Sequence, residues 1–184
     1  MYRETIDHFG EPDHVITFDE PQRPDRNPLE RIDVLVWEDD EDLDVTTFAT
    51  IGMCAHPLAG AAHRCELHFA ARRPASEMDL NKVALFCAGL AACPFADATY
   101  YDWGHAIINP GRIPYFPNCC ALILSPGFGK ELWDETEFEG TAIRIMNLVP
   151  ITRRELEYGH PHDRTPIFDY LADNEIDVLV DRDQ

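Results

Sequence analysis

Apolar residues along the 184-residue chain recur mostly in short runs and in strict alternation, and only one long stretch follows helical spacing. Arg31–Trp37 (RIDVLVW) is β-branched and apolar and predicts a buried strand. Asp44–Met53 (DVTTFATIGM) predicts a second, after an acidic turn over Glu38–Asp42. His63–Ala71 alternates, with Cys65, Leu67 and Phe69 on one face and Arg64, Glu66 and His68 on the other. That pattern predicts a half-buried strand whose polar face is wet or covered by a helix. Leu80, Val83, Ala84, Cys87, Leu90 and Ala91 recur at helical spacing and predict the main helix. Ser76-x-x-Asp79 supplies its capping arrangement, and Pro94 lies just past its expected end. Cys119–Leu124 (CCALIL) and Thr141–Val149 (TAIRIMNLV) predict two more buried strands.

Weaker signals fill the gaps. A short helix near Thr5–Phe9 is stopped by Gly10 and Pro12, and a polar linker with Pro21, Pro24 and Pro28 follows. His56–Ala62 reads as a loop. Ser125–Gly140 reads as a long acidic loop carrying Phe128, Trp133 and Phe138. Thr152-x-x-Glu155 is a capping box opening a helix to about Tyr158, and Pro166 suits the first turn of another with Ile167, Phe168, Tyr170 and Leu171 as its apolar positions. The tail Ile176–Val180 adds a last strand or simply packs. Strands in runs with one long helix predict a single α+β domain over residues 1–184, its core from about residue 5 to 173. Its sheet is central, mixed or mostly antiparallel, with helices on one or both faces. Strict βαβ alternation is absent, which excludes a doubly wound fold.

Charge narrows the partners. Fifteen Lys and Arg stand against 34 Asp and Glu, a net charge of −19. Such a surface repels nucleic acid and anionic membranes and attracts a basic protein, although solubility or a salt-rich habitat selects acidity too. No apolar run reaches the ~20 residues that span a bilayer. Met1–Asp7 lacks the basic-then-apolar order of a secretory signal, so a cytoplasmic address is expected. Cys65, Cys87, Cys119 and Cys120 sit in apolar runs and read as reduced core thiols that suit a reducing compartment.

Three kinds of chemistry find little support. His56, His63, Cys65, His68 and His160-x-His162 are close in sequence, but no Cys-x-x-Cys, HExxH or facial triad is present, so no metal is expected. Ser125-Pro126-Gly127-Phe128-Gly129 follows a strand, yet Ile123 stands where a nucleophile elbow needs glycine. No phosphate-cradling loop is present, and no cofactor is expected. Asp102 and His105 with Cys93 or Cys119 remain the best enzyme constellation.

The segment Tyr100–Asn109 (YYDWGHAIIN) concentrates aromatic and polar groups around one glycine. In one reading Trp103 fills a core gap and His105 hydrogen-bonds a loop backbone. In the other, Tyr101, Asp102, Trp103 and His105 face a protein partner, joined by Glu131, Trp133, Asp134 and Glu135 from the acidic loop.

Six blocks in order carry a family resemblance: His8-Phe9-Gly10-Glu11-Pro12; Ile32–Trp37; Phe48–Met53; Arg64-Cys65-Glu66-Leu67 before the central helix; Trp103–Asn109; and Met146–Thr152 with Glu155–Tyr158. Through them the chain resembles the suppressor-of-fused domain family. The resemblance implies an α+β, non-enzymatic protein-binding module. Animal members hold a zinc-finger transcription factor of the Hedgehog pathway by strand pairing with an extended peptide, using a second, C-terminal domain that is not expected here. A compact single copy is similar to the bacterial branch, proposed to be immunity proteins that neutralise secreted toxins, many of them nucleases. A nuclease is basic where it holds phosphates, and a chain of −19 suits the task of covering it. The partner expected is thus a basic toxin domain, bound by a monomer or weak dimer, with no nucleic acid and no membrane.

Overall fold

A computed structural model describes residues 1–19, 27–38, 44–127, 133–159 and 165–183. Pro21, Pro24, most of the acidic turn (39–42), Phe128, Gly129, Glu131, His160 and His162 lie outside the described residues.

The strongest hydrophobic runs became the middle of a sheet. Strands β2 (Ile32–Glu38), β3 (Val45–Ile51), β4 (Arg64–Arg72), β6 (Cys119–Ser125) and β8 (Thr141–Thr152) fall where the pattern placed them, within one to three residues at each end. Three short strands did not announce themselves. β1 (His14–Phe18) lies in the stretch read as linker, β5 (Ala106–Ile108) in the aromatic segment, and β7 (Glu135–Phe138) in the acidic loop. The order is β1-β2-β3-β4-β8-β6-β5, with β7 also on β8. Every pairing is antiparallel except β4 with β8, so the sheet is mixed and mostly antiparallel.

Helix α2 (Leu80–Ala96) covers one face. Val83, Ala84, Cys87, Leu90 and Ala91 meet Val34, Val36, Phe48, Leu67, Phe69, Leu122, Met146 and Leu148 in the main core. Its start differs from expectation. Ala75–Glu77 forms a 3-10 turn, and Asp79 rather than Ser76 is the N-cap, accepting from the Lys82 amide at 3.1 Å. Its end differs too, since Pro94 lies inside the last turn.

The opposite face is covered at both ends. Helices α3 (Arg153–Tyr158) and α4 (Thr165–Asp173) cover one end, with Ile167 and Leu171 on Ile123, Val149 and Ile151. The predicted capping box opens α3, with Thr152 and Glu155 exchanging both bonds. At the other end, α1 (Tyr2–Phe9) is closed by Gly10 at φ 82°, and Met1 packs on Cys54, Ile143 and Ile145. The polar side of β4 is therefore not wet. His68 lies under Phe9 and Trp133, with ring centroids 5.4 and 6.0 Å away, and Glu66 is fully buried.

The tail packs instead of adding a strand. The Arg182 guanidinium binds Glu155 at 2.9 Å and donates to the Pro150 carbonyl at 2.6 Å. In the register Pro150 stands opposite Leu122 of β6.

Candidate binding cleft at the open edge of β5

β5 is held to β6 by alternate residues. The Leu124 amide donates to the His105 carbonyl at 2.8 Å, and the Asn109 amide to the Cys120 carbonyl at 3.2 Å. Antiparallel alternation then turns the N–H and C=O groups of Ala106 and Ile108 outward, away from the sheet. This edge is the floor of a cleft of about 1310 Å³. Leu90, Cys93 and Pro94 of α2 line it from one face of the sheet and Phe168 of α4 from the other, with Ser125–Gly127 also in the lining. Ile108 is 48% exposed on the edge itself.

The last turn of α2 explains how the segment before β5 is positioned. A proline inside a helix removes the donor to the carbonyl four residues earlier. That carbonyl belongs to Leu90, and the Tyr101 hydroxyl donates to it at 3.0 Å. Tyr101 is accordingly buried, with burial pushing its hydroxyl pKa up. The buried His63 ring sits 2.8 Å from the Tyr101 carbonyl.

Arg144 organises the next residues. It pairs with Asp102 at 2.5 Å and Glu135 at 3.2 Å, and its guanidinium lies 4.7 Å from the Trp103 ring centroid. The Trp103 indole N–H donates to the Ile145 carbonyl at 3.1 Å. Trp103 is half-buried rather than enclosed in the core. His105 contributes its backbone carbonyl to the β5–β6 ladder, while its exposed ring lies 5.2 Å from that of Tyr100.

The fold therefore divides the residues singled out in the sequence. Tyr101, Trp103 and His105 line the cleft. Asp102 and Glu135 meet at Arg144. Asp134 accepts from the Gly127 amide at 2.6 Å, beside the cleft wall. Trp133 is elsewhere, stacked on His8 at 5.3 Å in an aromatic cluster with Phe9 and His68. Glu131 lies outside the described residues. Sequence reasoning missed Ala106 and Ile108, whose signal was only a three-residue apolar run, and the walls from Cys93, Pro94 and Phe168, which depend on helix packing.

Of the enzyme constellation, Cys93 and His105 line the same cleft, while Asp102 and Cys119 are placed otherwise. Asp102 is committed to Arg144 and the Trp103 amide. The buried Cys119 thiol is pushed up to about 12, chiefly by desolvation, and the same cause raises Cys54, Cys65 and Cys87. Among the described residues no group of three or more His, Cys, Asp or Glu is placed to hold a metal, and no helix is long and apolar enough to cross a membrane.

The model of the suppressor of fused protein family matches residues 28–183. The chain belongs to that family. The matched span holds β2 to α4 and leaves out α1 and β1, so the His8–Pro12 block lies before it. Among solved structures, a suppressor of fused homolog from Neisseria gonorrhoeae is similar at TM-score 0.71 and 16% identity, covering 97% of this chain and 90% of its own. Sufu in a complex with Fu is similar at TM-score 0.63 and 12% identity, covering 98% and 85%. Drosophila Suppressor of Fused is similar at TM-score 0.57 and 13% identity over 83% of this chain, which spans 40% of the Drosophila one. No curated protein matches the chain in sequence.

Proposed function

We propose that this chain is a non-enzymatic protein-binding domain that takes an extended segment of its partner along the β5 edge. The observation that carries the reading is a strand edge that no other described strand pairs, set inside a walled cleft. An exposed edge presents main-chain donors and acceptors that an added strand satisfies, while the walls select side chains. The solved complex of Sufu with Fu supports the class, since there a relative of this fold holds a partner protein. Within that class we read the partner as a basic toxin domain, with this chain as its bacterial immunity protein. The net charge of −19 favours a basic surface and excludes nucleic acid from the interface.

The test is affinity capture from source lysate at low and moderate salt, followed by amide hydrogen exchange on the purified complex. Slowed exchange at Ala106 and Ile108 is expected. Protection confined to the α1 and Trp133 face would move the interface and end the cleft reading. A basic toxin whose lethality is relieved by coexpression supports immunity. A non-toxin partner bound at the same edge makes the chain a regulatory domain instead.

A further inference from the structure

One wall of the cleft is the end of a helix, and it is electrically one-sided. Leu90, Cys93, Pro94 and Asp97 line the opening from the last turns of the 17-residue α2. Aligned peptide dipoles put about half a negative charge at such a carboxyl terminus. Asp97, the exposed C-cap, adds a full one. Tyr100 contributes an aromatic ring to the same wall, and among the described residues no lysine or arginine lines the cleft. The opposing titratable group is His105, exposed beside Tyr100.

Side chains of an added strand alternate between the two walls. Those turned to Phe168, Ala106 and Ile108 meet apolar surface. Those turned to α2 meet apolar surface at Leu90 and Pro94 that ends in negative charge and an aromatic ring. A long stem with a cationic head matches that sequence of surfaces, since the stem lies on the apolar part and the head reaches the rim. We propose that the carboxyl end of α2, with Asp97 and Tyr100, is a cation subsite, and that the partner strand carries a Lys or Arg there, flanked by apolar residues. The subsite rests on the strand-addition reading and specifies which strands it accepts.

A displayed library of random heptapeptides, selected on the full chain, tests both. The expected winners carry Lys or Arg at one fixed position with apolar residues on each side. Asp97→Asn is expected to weaken the best peptide about 3- to 10-fold and to leave its norleucine analogue within about twofold. Winners with no fixed cation, or equal losses for both peptides, would overturn the subsite while leaving strand addition in place. Ala106→Pro, which blocks the outward edge, and maleimide alkylation of Cys93, which fills the cleft without altering the backbone, should each abolish selection. Winners that bind through both blocks, or no winners at all, would sink strand addition and the subsite with it.

Discussion

At the scale of single residues, two buried polar side chains on β4 set the chemistry of the second face. Glu66 accepts from the Gly52 amide at 2.8 Å, the Cys54 amide at 3.0 Å and the Thr50 hydroxyl at 2.7 Å. It thereby fixes the turn after β3, where Gly52 at φ 137° leaves no room for a Cβ, which would stand 2.7 Å from the Arg31 carbonyl. Burial still raises the Glu66 pKa, outweighing these hydrogen bonds, each of which lowers it. His68 is held neutral, its pKa lowered to about 3 by desolvation and then by nearby His8. The unfolded chain binds that proton near 6.5, so His68 contributes stability above pH 6.5 that is lost as pH falls toward 3. Glu66 has the opposite sign, its contribution being present below the ordinary carboxylate value and lost as pH rises through its raised one. Between pH 6.5 and 4.5, His68→Leu should flatten the fall of unfolding free energy by about 1 kcal/mol per pH unit relative to the parent. Urea titrations at several pH values check this, and an unchanged slope would remove His68 as the cause. The alternation of β4 displayed both residues but hid their burial, because nothing local to that strand shows that α1 returns to cover it.

At the scale of elements, the decisive case is the end of α2. The helical pattern was legible to Ala91, and proline normally ends such a run. The helix instead continues through Pro94 because Tyr101 supplies the donor that the proline lacks. Tyr101→Phe should therefore cost about 1–2 kcal/mol by leaving the Leu90 carbonyl unpaired, and should loosen the cleft wall at Pro94. Chemical denaturation measures the first effect, and faster alkylation of Cys93 reports the second. Parent-like values for both would mean that the helix end is held by other contacts. The capping box of α3 was legible for the opposite reason, since both partners lie within four residues. β1, β5 and β7 were not, because such short edge strands bury too few side chains to write a pattern.

At the scale of the whole molecule, the charge of −19 acts through encounter rather than fold. Association with a basic partner should slow about 10-fold or more between 50 and 200 mM salt, with a much smaller change in dissociation. Stopped-flow or surface-binding kinetics at several salt concentrations decide the matter. A salt-independent on-rate would assign the acidity to solubility or habitat. Asp102 and Glu135 are partly spent on Arg144 inside the chain, so the steering field comes from the remaining acidic surface.

The sequence by itself determined the five strong strands, the main helix, the capping box and the sidedness of β4, because each depends on residues within one element. Its ordered blocks also carried the family, since a family is a linear pattern. Tertiary structure alone decided the parallel β4–β8 pairing, the burial of Glu66 and His68, the job of Tyr101 and the walls around β5. Those features join residues far apart in the chain, and whether a strand edge is open depends on what the fold leaves beside it.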